Sequence, residues 1–337
     1  MCLTTAGIIG LGQMGILHAA MISSFEGNRV AAISDNDSFL VKLAKKALPN
    51  MNHYADYHDM LDKERLDVLY ICTPVQTHLP IAHDVLTNFK DVDIFVEKPL
   101  AMNYSDASKL VEDSRQSSAI TMVGYQKRFE GVFKKAKEVF DAQILGDISF
   151  IRAHFLGSNV LSEKQGWKFQ SGSGGATLEY GAHLLDLLIW YFGEPISAKS
   201  ERASLYSLEV EDYISSSVGF VNGITGNLEI GWSMHNYLIP ELLIEAHGKN
   251  GDISVTEDRV MLHLNREDRD SKLDEGTHMF FGSGLDAAVP FLIANPENVL
   301  QEMTFLDCAK NGVQPEQTFR SAAMVNRFVD LLLQGQD

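Results

Sequence analysis

Cysteine is scarce. The 337 residues hold three, Cys2, Cys72 and Cys308, far apart and without a C-x-x-C pair. That excludes a disulfide framework and a zinc site, and no metal is expected. Cys72 closes the apolar run VLYIC and reads as a small core residue. Positive charge is the second deficit: 28 Lys and Arg stand against 45 Asp and Glu, a formal net charge of −17. A nucleic-acid partner needs a basic footprint and an anionic membrane surface needs one too, so both are excluded; the charge serves solubility. Long hydrophobic runs are missing as well. No apolar stretch reaches the roughly 20 residues that span a bilayer, and Met1–Thr5 carries no basic leader segment. A cytoplasmic protein is expected. What is present is ordinary globular material, 45% hydrophobic and 22% charged, enough for a core without covalent staples. At roughly 100–200 residues per domain the length suggests two domains.

Strand and helix signals alternate through the first part of the chain. Strands are expected over Ala6–Gly10, Arg29–Ser34, Val68–Cys72, Asp93–Val96 and Ile120–Gly124. Between them helices are expected over Gly15–Ser24, Ser38–Ala47, Asp56–Asp62, Leu79–Thr87 and Ser105–Ser117. Short continuous apolar strands alternating with helices imply a doubly wound parallel α/β sheet covered on both faces. After Gly124 the pattern changes. A helix over Phe133–Asp141 and a strand over Ile148–Phe155 lead to a long apolar helix, Ala176–Phe192, stopped by Gly193 and Pro195. Strands over Ile196–Tyr206, Asp212–Val221, Thr225–Trp232 and Leu242–His247 follow, then a closing helix over Thr318–Leu333. Successive strands with few helices predict an α+β unit on an open, mostly antiparallel sheet. The boundary is placed at Gly124–Arg128, giving domains 1–124 and 125–337. An open sheet has a face to cover, and a second copy of the chain is a plausible cover.

Gly10-Leu11-Gly12-Gln13-Met14-Gly15 is G-x-G-x-x-G, following a predicted strand and opening a predicted helix, which is the context a dinucleotide needs. Gly10 permits the tight turn, Gly12 the approach of a pyrophosphate, and Gly15 close helix–strand packing. The helix N-terminus then offers N–H donors and partial positive charge to the phosphates. Glycines serving only a turn are the other reading, and Asp35 weighs against it. It ends the second strand about 20 residues on, where a carboxylate bonds the adenosine ribose hydroxyls and repels the extra phosphate of NADP. NAD is favoured over NADP. Asp35 could also be a turn or cap residue, although Asp37 and Ser38 are placed to cap instead. Thr73-Pro74 ends the strand VLYIC, where it either passes a ligand or is a plain loop.

Two further groups carry chemistry. Glu97-Lys98-Pro99 puts an acid beside a base at a strand's carboxyl end. An oxidised nicotinamide would lower the pKa of Lys98 by its positive charge and bring it into proton transfer; a solvated loop lysine is the alternative. In Glu179-Tyr180-Gly181-Ala182-His183-Leu184-Leu185-Asp186, one continuous helix would align Glu179, His183 and Asp186 on one face. A histidine flanked by carboxylates suits a general base near neutral pH; a hydrogen-bonded core histidine is the other reading. Gly172-Ser173-Gly174-Gly175 just before it signals close backbone approach to a ligand, or flexibility.

With these segments the chain resembles, nearly end to end, the glucose–fructose oxidoreductase/inositol dehydrogenase (Gfo/Idh/MocA) family. The resemblance rests on GLGQMG at Gly10–Gly15, TPVQTH at Thr73–His78, EKPL at Glu97–Leu100, GYQKRF at Gly124–Phe129, and GGATLEYGAHLLDLLIWYFGEP at Gly174–Pro195. It implies an N-terminal Rossmann domain and a second domain for substrate and assembly. It also implies NAD as cofactor, held by Gly10, Gly12, Gln13, Met14, Gly15, Asp35, Thr73, Pro74, His78, Glu97, Lys98 and Gln126. It implies an enzyme moving hydride between the nicotinamide and a hydroxyl-bearing carbon of a sugar, polyol, sugar acid or nucleotide sugar. Lys98 matches the family's catalytic lysine and His183 its catalytic histidine. Glu179 stands where the family usually has Asp, one methylene longer. Asp186 and Arg128 match residues near the substrate, the histidine or the domain junction, and Tyr125, Trp167 and Tyr237 are further candidates for the pocket wall. In the expected mechanism His183 accepts the hydroxyl proton, Lys98 bonds the same hydroxyl, and Glu179 and Asp186 orient the His183 ring. A homodimer or homotetramer is implied. Two alternatives differ in class: redox-neutral chemistry on a tightly held NAD, as in glycoside cleavage or hydride shuttling, and a non-catalytic sensor of cofactor or ligand.

Overall fold

The computed structural model describes residues 4–47, 50–89, 91–170 and 174–334. Cys2, Gly172 and Ser173 therefore lie outside the described residues. The first 125 residues form β1 (Thr4–Ile9), α1 (Gln13–Ser24), β2 (Asn28–Ser34), α2 (Ser38–Ala47), β3 (Asn52–Tyr54), α3 (Tyr57–Lys63), β4 (Val68–Ile71), α4 (His78–Asn88), β5 (Asp93–Val96), α5 (Tyr104–Gln116) and β6 (Thr121–Val123). The six strands lie in the order β3-β2-β1-β4-β5-β6, and every pair is parallel. The strand order turns back between β1 and β4, which opens a ligand crevice at their carboxyl ends. Ala6, Ile8, Val68, Leu69, Ile71, Ile94, Phe95 and Val96 are fully enclosed, as central strands covered on both faces must be.

The following segment contains α6 (Gly131–Asp141), β7 (Ile148–Leu156), α7 (Ala176–Glu179), α8 (Ala182–Phe192), β8 (Pro195–Ala203), β9 (Tyr213–Phe220), β10 (Thr225–Gly231), β11 (Glu241–Gly248), β12 (Gly251–Thr256), β13 (Arg259–Leu264), β14 (Gly276–Phe281) and the short α9 (Gly282–Leu285). Its eight strands form one sheet, β14-β13-β12-β11-β7-β10-β9-β8. Only β7 and β10 pair in parallel; the other neighbours are antiparallel. Fold class is thus as the sequence implied, a doubly wound parallel sheet and a mostly antiparallel open one. Strands β12–β14 were not anticipated, although β13 alternates buried and exposed residues along RVMLHL as a half-covered strand should.

Two further helices complete the chain, α10 (Pro296–Asn311) and α11 (Phe319–Gln334). The polypeptide divides into one unit of residues 1–125 and 289–323 and another of residues 126–288 and 324–337. The expected second domain, continuous over 125–337, is corrected in this respect: 289–323 returns to the first unit. The reason is local. Gln314 bonds Thr121 N–H (3.1 Å) and the Ala119 carbonyl (2.9 Å), Val123 N–H donates to the Gln317 carbonyl (2.9 Å), and Glu302 of α10 bonds His18 of α1 at 2.6 Å.

The single helix expected over Ala176–Phe192 is also corrected. It breaks into α7 and α8 at Tyr180-Gly181, where Gly181 N–H reaches five residues back to the Ala176 carbonyl (2.9 Å). A Cβ at Gly181 would stand 2.5 Å from Ile230 Cδ1 and 2.6 Å from the Thr177 carbonyl oxygen. Among the described residues no helix is long and apolar enough to cross a membrane.

Candidate active site

The glycine loop between β1 and α1 uses its three glycines differently. Gly10 has φ +97°, and a Cβ there would meet the Cys72 carbonyl oxygen at 2.7 Å. A Cβ on Gly15 would lie 1.9 Å from the Gly10 carbonyl oxygen, so the start of α1 presses onto the loop. Gly12 faces nothing within 4 Å, and it caps α1 without any side-chain hydrogen bond. An open glycine between two closed ones, at an uncapped helix start, is a cradle suited to a dinucleotide pyrophosphate. Gln13 is exposed and Met14 half-buried on the same turn.

Asp35, half-buried at the end of β2, accepts the Leu11 N–H at 2.6 Å through one oxygen and the Asp37 N–H at 2.8 Å through the other. It therefore braces the glycine loop from the position where a ribose would be read. The cap of the following helix falls to Asp37, which accepts the Phe39 N–H at 2.8 Å. Thr73 and Pro74 open a single 3-10 turn, with the Thr77 hydroxyl on the Thr73 hydroxyl at 2.7 Å. His78 is 1% exposed. Its ring bridges the Pro99 carbonyl (2.9 Å) and the Thr73 carbonyl (2.8 Å), and burial lowers its pKa. The structure makes it a tie between the turns after β4 and β5.

Lys98 is half-buried immediately after β5, and its bond to Pro99 is cis. Glu97 beside it is buried. One Glu97 oxygen lies 2.9 Å from His18 Nε2 and the other accepts the Lys98 N–H at 3.2 Å. Both oxygens are engaged inside the unit. Tyr125 is 1% exposed.

The second unit carries Gln126, Arg128, Trp167, Glu179, His183, Asp186 and Tyr237. Gln126 is half-buried on a short 3-10 turn. Arg128, on the same turn, places Nε and Nη2 on the two oxygens of Asp186 at 2.7 and 2.6 Å, and its guanidinium stacks 5.4 Å from the Trp190 ring centroid. Burial raises the Asp186 pKa, against the pull of Arg128. Asp186 is thus the clamp of Arg128. Glu179 pairs with Lys168 Nζ at 3.1 Å. His183 itself is buried at the start of α8. Trp167 is half-buried beside Lys168, whose Nζ sits 5.2 Å from its ring. Tyr237 is half-buried, its ring edge-on to His154 at 6.2 Å.

The described part of the glycine run approaches its own chain. A Cβ on Gly174 would meet the Lys168 carbonyl oxygen at 1.8 Å, and one on Gly175 (φ +108°) a Glu211 carboxylate oxygen at 2.5 Å. Sequence reasoning missed Lys168, His18 and Glu302. The only signal for His18 was a lone histidine on an otherwise apolar stretch of α1. Among the described residues no group of three or more His, Cys, Asp or Glu could hold a metal ion.

A parallel sheet with a dinucleotide cradle, joined to an open antiparallel sheet, defines a Rossmann oxidoreductase of two units. A family model described as an oxidoreductase family with NAD-binding Rossmann fold matches residues 4–125, and the GFO/IDH/MocA C-terminal domain matches residues 133–254. The chain belongs to the GFO/IDH/MocA oxidoreductases, and its cofactor is NAD. It is 24% identical to myo-inositol 2-dehydrogenase of Thermotoga maritima, covering 92% of this chain and 89% of that protein. The uncharacterized oxidoreductase YdgJ of Escherichia coli is 28% identical over 59% of this chain and 56% of its own length, so this match spans just over half of that relative. Levoglucosan dehydrogenase in complex with NADH has the same fold, with a TM-score of 0.86 at 20% identity over 98% of this chain and 96% of that one.

Proposed function

We propose that this protein is an NAD-dependent dehydrogenase transferring hydride between a CH–OH carbon of a neutral sugar or polyol and the nicotinamide. The observation that carries the reading is the open Gly12 cradle after β1 in the same unit as Lys98, which stands past the carboxyl end of β5, two strands away in the same parallel sheet. NAD, when bound, supplies the hydride acceptor. Gly12 and the first amides of α1 hold its phosphates, and Asp35 keeps the loop in place while its charge disfavours the additional phosphate of NADP. Lys98 bonds the reacting hydroxyl and stabilises negative charge developing on that oxygen. His183 takes the hydroxyl proton as general base. Lys168 and Glu179 hold the turn that bears Trp167 against α7.

A neutral substrate is favoured because two cations of the second unit are already engaged, Arg128 by Asp186 and Lys168 by Glu179. The two similar dehydrogenases act, by name, on an inositol and on levoglucosan, and both are uncharged. The test follows reduced nicotinamide by absorbance with NAD and with NADP. The panel holds inositols, aldoses, anhydrosugars, sugar acids and nucleotide sugars. Turnover with NAD on a neutral polyol is expected, with kcat reduced by about 100-fold or more in Lys98→Ala and in His183→Ala, as for loss of a proton-transfer group. Turnover on sugar acids alone, or undiminished turnover in both variants, would sink the reading.

A further inference from the structure

Helix α1 turns one histidine inward, and the reaction above makes no use of it. His18 has no exposed surface. Its ring packs at 5.1 Å from the Tyr70 ring and 4.9 Å from the Phe95 ring, between two β-strands' aromatic residues. Nδ1 lies 2.6 Å from Glu302 Oε2, and Nε2 lies 2.9 Å from Glu97 Oε1. Ionised carboxylates only accept hydrogen bonds, so a ring held between two of them donates from both nitrogens as imidazolium. Three ionisable groups enclosed together are costly, and apolar residues of equal volume would fill the same space at least as stably. The arrangement therefore has a use other than packing.

That use is visible at its far end. The second oxygen of Glu97 accepts the backbone N–H of Lys98 at 3.2 Å. Gly124 leaves room for this carboxylate, since a Cβ there would stand 3.3 and 3.4 Å from its oxygens. A continuous chain of contacts runs Glu302, His18, Glu97, Lys98 N–H, from helix α10 to the turn after β5. We propose that His18, braced by Glu302, is a positioning residue for Lys98: it fixes the direction of Glu97 and so the setting of the Lys98 turn toward the cofactor. This rests on the reading of Lys98 as the group that meets substrate and cofactor.

Charge supports the geometry. Burial pulls the His18 imidazole down, but Glu302 and Glu97 outweigh it and hold it at about 10. The Tyr70 phenol packs on the ring and the Cys72 thiol interacts with the same two carboxylates; each is pushed up by burial and by carboxylate charge. The imidazole, the phenol and the thiol all keep their protons around neutral pH.

Glu302→Gln keeps the shape and removes the strongest partner that raises His18. The purified full-length variant is followed by thermal unfolding, by NADH fluorescence titration from pH 6 to 9, and by the rate at which an amine reagent labels Lys98, read by mass spectrometry. NADH affinity is expected to weaken by about tenfold, the size seen when a supporting contact is lost. It should also acquire a pH dependence across neutrality that the unaltered protein lacks, and the Lys98 labelling rate should change several-fold. Glu302→Asp, which keeps the charge, should restore the flat pH profile; it also carries the test should Glu302→Gln not fold. A folded variant with a flat profile and unchanged Lys98 labelling, or one that loses only thermal stability, overturns the proposal. Undiminished turnover in Lys98→Ala would instead remove the role of Lys98, and the labelling readout keeps the two failures apart.

Discussion

Gly12 and Gly15 stand three residues apart across the start of α1, yet each answers to a different neighbour. Gly15 faces the Gly10 carbonyl, which is backbone and cannot rotate away, whereas Gly12 faces open space. A methyl group at Gly12 should leave the fold within about 0.5 kcal/mol, as for substitutions away from packed surfaces. It should still weaken NADH by about tenfold or more, because it stands where the pyrophosphate must approach. Gly15→Ala should lose both stability and binding. Urea unfolding paired with NADH fluorescence separates the cases, and equal behaviour of the two variants would contradict the cradle. The spacing of the glycines made the motif legible. The division of roles among them was legible too; that Gly10 presses on the Cys72–Thr73 backbone was not, because strand pairing brings that backbone alongside. Asp35 is similar: its distance from the glycines was readable, its hydrogen bond to Leu11 was not.

At the scale of elements, the alternation of strand and helix through the first 125 residues was legible because fully covered parallel strands are short unbroken apolar runs. Helix α10 was not anticipated. Its buried face mixes Val299, Phe305 and Leu306 with Gln301 and Glu302, and a polar residue at a core position blurs the apolar period on which such readings rest. The apolar run across α7 and α8 erred the other way, suggesting one helix where Gly181 admits a wider turn. Helix α8 is tied to the turn before α6 by Arg128 and Asp186, both almost fully enclosed. Removing either partner alone strands a buried charge and should cost about 3–5 kcal/mol. Arg128→Met with Asp186→Leu together should cost far less, since packing replaces the pair. Chemical denaturation of the two single variants and the double variant gives the coupling; strictly additive losses would show that the pair is not a unit.

For the whole molecule, the enclosed triad makes stability depend on pH. The folded His18 pKa stands at about 10 against 6.5 for a free imidazole. A raised pKa means that the folded state holds the proton more tightly. Its contribution is fully present below pH 6.5 and is lost as pH rises through about 10. Thermal unfolding from pH 6 to 10.5 should show a decline toward the alkaline end that is shallower in Glu302→Gln. A parallel decline in both proteins would place its cause elsewhere, in the general repulsion of a chain already carrying a net charge of −17. The two units add a second feature of this scale. Residues 289–323 leave the second stretch of chain to join the first unit, a return that no composition change marks.

By itself the sequence determined the class of each half, the glycine cradle, the favoured cofactor and the turn that bears Lys98. These depend on local periodicity and on short spacings along one strand–turn–helix unit. Only the tertiary structure decided that Glu179 pairs with Lys168, that Asp186 clamps Arg128, that His78 ties two turns together, and that His18 is held between Glu97 and Glu302. Each of these is a contact between a charged or polar group and a partner chosen by burial. Burial is settled by how distant segments pack: Glu302 lies 284 residues from the histidine it holds.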